Sequence, residues 1–198
     1  MNRIFEMNKL IIFIKNPLKG KVKTRLAATI GDDNALEVYL KLIEYTLNLA
    51  KSLKVEVNLF FSDQIISEYP FSKKHIQEGS DLGDKIKNAF KKCFDEGGSN
   101  VVIIGTDCAE LTKEIIEESF EKLNNHSVVI GPALDGGYYL LGMNQFYPEI
   151  FNQIEWSTSK VFDLTLAKIK NADISFDTLT TLRDIDTEDD LFTLKKLL

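Results

Sequence analysis

The chain has 198 residues, enough to bury one sizeable core but short for two full domains. Apolar residues make up 44% and charged residues 27%, a balance that excludes a disordered polypeptide. The formal net charge of -6 excludes a nucleic-acid backbone or an anionic membrane as main partner, yet leaves room for a local basic site that takes a small anion.

Residues 1–6 carry an acid and lack a signal-peptide core, and Met7 is a possible alternative start. The continuous apolar run at residues 10–14 reads as a parallel strand buried on both faces, and is far too short to span a bilayer. A polar loop follows at 16–24. Asp32 or Asp33 caps an expected helix to about residue 52, with Leu36, Leu40, Ile43 and Leu47 on one face. Residues 55–61 read as the second strand. After a loop around Pro70, a helix is expected at 81–94, with Leu82, Ile86, Ala89, Phe90 and Cys93 as its apolar stripe.

Gly97-Gly98-Ser99 ends that helix, and residues 101–104 form the next buried strand. Thr112 caps a helix carrying Ile115, Ile116, Phe120 and Leu123. Strands at 127–130 and 138–141 flank a Gly-rich turn. Ser157 is the expected cap of a helix through 169, and Thr187, with Asp190 three positions on, opens a C-terminal helix. Such alternation implies an α/β protein with a mainly parallel sheet and a single domain over residues 1–198. Ligands of open sheets collect outside the carboxyl ends of the strands. The two cysteines, Cys93 and Cys108, give no disulfide framework or metal spacing, so a cytoplasmic protein is expected.

The loop after the first strand packs five cations, Lys15, Lys19, Lys21, Lys23 and Arg25, into eleven positions of an acidic protein. Gly20 permits a tight bend, and Lys23 and Arg25 can converge on phosphate oxygens, Lys as a mobile point charge and Arg as a planar fork. Val22 stands where a Walker A loop needs glycine, and the single glycine does not make a dinucleotide fingerprint. The loop instead resembles the Lys-Pro…Lys-(Ser/Thr)-Arg-Leu signature of small nucleotidyltransferases in the nucleotide-diphospho-sugar transferase superfamily, such as the phospholactate guanylyltransferases. Lys15, Lys23, Thr24, Arg25 and Leu26 match by type, although Asn16 separates Lys15 from Pro17. The resemblance implies a nucleotide-phosphate site built from Lys15, Pro17, Gly20, Lys23, Thr24 and Arg25.

Asp107 follows the strand at 101–104, where a carboxylate can bind Mg²⁺ alongside phosphate oxygens or cap the next turn. In the resembling superfamily this is the metal aspartate of Gly-x-Asp-x-Pro, with Ala109 here in place of proline. Asp184-Ile185-Asp186-Thr187-Glu188-Asp189-Asp190-Leu191 is similar to the Val-Asp-Thr-Pro-Glu-Asp-Leu segment of sugar-acid cytidylyltransferases. That likeness makes Asp186 a second metal ligand, although Asp and Thr before a helix also serve as plain caps.

Gly131-Pro132-Ala133-Leu134-Asp135-Gly136-Gly137-Tyr138-Tyr139-Leu140-Leu141-Gly142 is the most distinctive stretch. Adjacent glycines let a backbone approach a ligand, and Asp135 can bind an acceptor hydroxyl, assist the metal or act as base. Together with Lys-x-Pro-x-x-Gly-x-Val-Lys-Thr-Arg-Leu, Gly-x-Asp-Cys, Trp156-Ser157-Thr158 and the terminal Asp-x-Asp-Thr segment, it identifies the chain as a member of a small bacterial and archaeal glycosyltransferase-like family. Membership implies a three-layer α/β/α fold with a mainly parallel, mixed sheet, GT-A-like and Rossmann-like.

The implied catalytic residues are Lys23, Arg25, Asp107 and Asp135, and the implied metal, Mg²⁺ or Mn²⁺, falls to Asp107 and Asp186. Asp135, Gly136, Gly137, Tyr138, Trp156, Ser157 and Thr158 would line the acceptor side. Trp156 can stack on a sugar or base, or simply staple a helix start. His75 and His126 sit in no recognisable pattern, and Cys108 reads as packing. The expected partners are a nucleotide or nucleotide-sugar and a small-molecule acceptor. Two transfers fit: a glycosyltransferase using a nucleotide-diphospho-sugar, or a nucleotidylyltransferase releasing pyrophosphate from a nucleoside triphosphate. A non-catalytic nucleotide-binding module is the reading outside enzymes.

Overall fold

The computed structural model describes residues 7–196, so the acid-bearing opening segment 1–6 lies outside the described residues. Strand β1 (Lys9–Ile14) sets the pattern for the whole molecule. Its side chains alternate between two cores. Leu10, Ile12 and Ile14 join one, while Ile11 and the partly buried Phe13 join the other. β4 (Val101–Ile104) repeats this division, with Val102 and Ile104 on the first side and Val101 and Ile103 on the second. A strand apolar at every position is therefore a strand covered on both faces.

The first core is roofed by α2 (Asp32–Lys51), through Tyr39, Ile43 and Leu47, and by α4 (Lys113–Lys122), through Ile116 and Phe120. The second is roofed by α3 (Leu82–Asp95), through Ile86, Ala89, Phe90 and Cys93, and by α5 (Val161–Asn171), through Ile169. Three layers result, with the sheet in the middle.

The sheet has seven strands in the order β3-β2-β1-β4-β6-β5-β7, adding β2 (Glu56–Phe61), β3 (Lys73–Ile76), β5 (Val128–Pro132), β6 (Tyr138–Met143) and β7 (Phe176–Thr178). β1 is parallel to β2 and β4, β2 to β3, and β5 to β7, whereas β6 runs antiparallel to both β4 and β5. The expected mainly parallel, mixed sheet is present. The turn before β6 thus joins the loops after β1, β4 and β7 at a single edge of the sheet.

Several local expectations are corrected. A helix, α1 (Thr24–Ile30), begins where the polar loop ends, and Gly31, with φ 83, separates it from α2. The two edge strands β3 and β7 carry no apolar run, because an edge with one neighbour tolerates charge and shortness. Leu40 and Leu82 are 43% and 42% exposed rather than packed in their helical stripes. Asp81 and Thr112 do cap α3 and α4, accepting from Asp84 N at 2.8 Å and Ile115 N at 3.4 Å. Ser157 is not a cap: it sits at φ 62, and α5 starts four residues later after Lys160. The C-terminal segment Glu188–Lys196 is a 3-10 helix. There Asp190 reaches back to accept from Asp186 N (3.1 Å), Thr187 N (2.8 Å) and Thr187 Oγ1 (2.8 Å), so the acid caps the turn and Thr187 is its donor. No helix among the described residues is long and apolar enough to cross a membrane.

Candidate functional site

The edge is stitched together by buried polar groups before any charge is considered. Asn16, 4% exposed just beyond β1, donates its backbone N to Ser62 Oγ at 2.9 Å and its Nδ2 to the Gln64 carbonyl at 2.8 Å. Its Oδ1 accepts from Asp63 N at 2.9 Å, which holds the loops after β1 and β2 in register. Tyr39 projects from α2 and is 3% exposed. Its hydroxyl donates to the Lys15 carbonyl at 3.0 Å, accepts from Lys15 N at 3.0 Å, and shares a hydrogen bond of 3.1 Å with Thr106 Oγ1. Burial, reinforced by the Asp107 charge, pushes this phenol far above its ordinary range, so it is a neutral clamp between the ends of β1 and β4.

On this frame the loop cations meet the carboxylates. Lys23 precedes α1 in a left-handed conformation (φ 48, ψ 43), uncommon for a residue with a side chain. Its side chain is only 4% exposed, and its ammonium is ion-paired with Asp107 Oδ1 and lies 3.5 Å from Asp186 Oδ1. Arg25, 68% exposed, places Nη2 2.5 Å from Asp186 Oδ2. The backbones close the circuit, since Ile185 N donates to the Asp107 carbonyl at 2.9 Å. The structure brings Lys23, Arg25, Asp107 and Asp186 together at one edge. Lys15 and Thr24 are exposed in the same loop, as is Gly20 with φ 73, and Pro17 is half-buried.

Asp184 is the residue that sequence reasoning left without a role. Burial raises its carboxyl to about 7, and the charges of Asp107, Asp135 and Asp186 push the same way against Lys23. Four carboxylates therefore share one field, with Lys23 and Arg25 as counter-ions. A signal was available: Asp184 and Asp186 flank Ile185, which is 0% exposed. In an extended segment that spacing puts both acids on the face opposite the isoleucine.

The glycine turn is held rigidly. Asp135 Oδ1 accepts from Gly137 N at 2.9 Å, and Gly136, at φ 90, passes its carbonyl to Phe162 N at 2.9 Å. A Cβ at Gly136 would run into the Ser159 backbone, so only glycine lets this turn seat against the approach to α5. Asp135 stays exposed, and its field reaches Asp184.

The remaining acceptor-side expectations divide. The Tyr138 hydroxyl is buried without a hydrogen-bond partner among the described residues, and its ring packs with the second core, so it does not present an oxygen to the edge. Trp156 belongs to the same core and lies over Gly83 at the start of α3, where no Cβ would fit. Ser157 and Thr158 are exposed, and Thr158 Oγ1 donates to the Glu155 carbonyl at 2.7 Å. Burial pushes the Cys108 thiol up to about 12, in keeping with a packing residue.

The layer order, the antiparallel β6 and the charged carboxyl edge define a small protein of the nucleotide-diphospho-sugar transferase fold. A family model described as "Uncharacterized protein conserved in bacteria (DUF2064)" matches residues 46–158, more than half the chain, and the chain belongs to that family. Among solved structures, a candidate nucleotide-diphospho-sugar transferase from Desulfovibrio desulfuricans G20 is 30% identical, with TM-score 0.87, over 92% of this chain and 83% of that one. The 4-diphosphocytidyl-2C-methyl-D-erythritol synthase of Anaerococcus prevotii DSM 20548 shares the fold at 11% identity, TM-score 0.61, over 97% and 96% of the two chains. The inositol-1-phosphate CTP transferase of T. maritima does so at 12% identity, TM-score 0.58, over 94% and 92%. No curated protein sequence matches the chain.

Proposed function

We propose that the protein is a metal-dependent, nucleotide-using transferase that moves a glycosyl group from a nucleotide-diphospho-sugar to a small-molecule acceptor. One observation carries the reading: cationic Lys23 and Arg25 and acidic Asp107 and Asp186, far apart in sequence, meet where open α/β sheets bind their ligands. The 30% identical relative of the named transferase class supports it.

The donor set suits Mg²⁺ or Mn²⁺. No three carboxylate, imidazole or thiol groups converge into a ready-made cage among the described residues. Mg²⁺ does not need one, since it usually takes one or two carboxylates and completes its shell with phosphate oxygens and water. The Lys23 ammonium, bridging Asp107 and Asp186, is a cation already standing where these acids attract one. When bound, the metal would offset charge on the departing diphosphate.

The protein's own groups supply the rest. Arg25 and the exposed Lys15 bind phosphate oxygens, and Lys23 holds Asp107 and Asp186 in place. Asp135 orients the acceptor hydroxyl and takes its proton as the new bond to the sugar carbon forms and the bond to the phosphate oxygen breaks.

Nucleotidyl transfer is the second reading, with attack at the α-phosphorus of a nucleoside triphosphate and release of pyrophosphate. Two features favour it: Lys23 and Arg25 suit a triphosphate tail, and Asp107 lacks an acid two residues away. A thermal-shift screen of nucleotide-sugars and nucleoside triphosphates, with and without Mg²⁺, tests both, because a ligand that binds the folded state raises Tm. Mg²⁺-dependent stabilisation by nucleotide-sugars supports glycosyl transfer, and by triphosphates alone nucleotidyl transfer. A Tm shift that ignores Mg²⁺, with no turnover of any donor, would leave a nucleotide-binding module.

A further inference from the structure

The two carboxylates assigned to the metal are not equally available. Asp107 meets Lys23 through Oδ1, and its side chain is 47% exposed. Asp186 has both oxygens engaged, Oδ1 by Lys23 at 3.5 Å and Oδ2 by Arg25 at 2.5 Å, and is 27% exposed. A divalent cation brought to Asp186 would meet positive charge at contact distance on either side.

The two cations guarding it are held with different strength. Lys23 is 4% exposed, is shared by two carboxylates, and follows a backbone locked at φ 48. Arg25 is 68% exposed and touches Asp186 through one terminal nitrogen. Exposed end-on pairs of that kind are weak and exchange readily. A phosphate offers the guanidinium a bidentate partner with more charge, so it competes well for Arg25 and poorly for Lys23.

We infer that Arg25 is a removable latch: in the ligand-free protein it covers Asp186 and suppresses metal binding there, and a phosphate-bearing ligand draws it off and hands Asp186 to the metal. The inference rests on the metal-dependent reading above and adds an order to it. Metal and phosphate ligand bind synergistically, and by linkage each raises affinity for the other by the same factor. The same ion pair could merely position Asp186, but then removing Arg25 would weaken metal binding, the opposite sign.

The test measures Mn²⁺ alone binding to the full-length chain, by electron paramagnetic resonance of free Mn²⁺, with no nucleotide present. Arg25→Gln is the variant, and its solvent exposure makes unfolding a minor concern; circular dichroism checks it. Lys21→Gln, in the same loop, reports the general effect of losing one positive charge. Wild type should bind Mn²⁺ weakly. Arg25→Gln should bind it about ten-fold or more tighter, well beyond Lys21→Gln, and Asp186→Asn should abolish the gain. Equal or weaker binding by Arg25→Gln, or a gain no larger than that of Lys21→Gln, overturns the latch. If Mg²⁺-dependent nucleotide binding survives that result, the proposed function stands without it. Loss of Mg²⁺ dependence in wild type brings both down.

Discussion

Two lysines with nearly buried side chains sit at opposite ends of the strands of the same sheet, and their surroundings differ in how fully the chain satisfies its own charges. Lys9, 1% exposed at the start of β1, pairs with Glu56 Oε1 at 3.1 Å and donates to the Glu96 carbonyl at 2.9 Å. Burial opposes ionisation of Glu56, but hydrogen bonds from Asn58 and Lys9 outweigh it and the carboxyl is drawn below its ordinary range. Around Lys23, by contrast, carboxylates outnumber cations, and burial, reinforced by the neighbouring acids, raises Asp184 to about 7. At the first end the charges are satisfied from within the chain. At the second they are left in surplus, the balance that the proposed cation site would require.

Four experiments would break or sharpen that contrast. The largest effect is expected from Lys9→Ala, which strands a carboxylate and a carbonyl and should cost about 3 kcal/mol in urea denaturation while leaving nucleotide affinity unchanged. A cost below about 1 kcal/mol would mean that this pair is not the structural one. Asp107→Asn should weaken Mg²⁺-dependent nucleotide binding on the order of 100-fold by calorimetry, the upper end of what loss of a supporting group costs a metal site. Unaltered affinity would remove Asp107 from the site.

Asp190 gives the next effect. Burial opposes its ionisation, yet hydrogen bonds from Thr187, Arg183 and the Asp186 amide hold its pKa at about 2. Its folded pKa lies below the unfolded one, so its stabilisation is present above about pH 4 and lost as pH falls towards 2. Asp190→Ala should cost about 2 kcal/mol at pH 7, with the gap to wild type closing between pH 4 and 2. A pH-independent gap would assign the loss to packing.

Asp184→Asn should act in the opposite direction, as a gain in stability. A carboxyl raised to about 7 opposes folding once it ionises, so wild-type stability in EDTA should decline as pH rises from about 4 to 7. The amide should remove that slope and leave the variant more stable than wild type at pH 8. A destabilised variant would show that Asp184 is satisfied after all.

Much of this was legible in the chain. The runs at 10–14 and 101–104 announced strands covered on both faces, and Asp81 and Thr112 marked helix starts that the structure keeps. Lys23, Arg25 and Asp107 were visible as residue types following strands, and Asp186 as an acid in a segment that resembles a known motif. Ser157 misled because a serine before an apolar stretch looks like a cap whether or not its φ permits one, and here φ is 62. Tyr138 misled because a tyrosine after two glycines looks like a ligand contact, whereas β6 turns it into the second core. β3 and β7 were invisible because an edge strand needs no hydrophobic signature.

Local sequence alone determined the doubly covered strands, the starts of α3 and α4 and the glycine turn, because each depends on side-chain pattern or backbone freedom within a few residues. The cap of α2 is Gly31 and not Asp32 or Asp33. Only the tertiary structure decided which charges would touch. β7 lies at the sheet edge, separated from β4 by β5 and β6. The segment after it crosses back past Ala133, which Leu182 bridges, and the Ile185 amide fastens it to the Asp107 carbonyl beyond β4. That long-range placement crowds Asp184 beside Asp107 and Asp186 and lets Arg25 reach across. Coulomb energies depend on separation in space, which spacing along a chain does not encode.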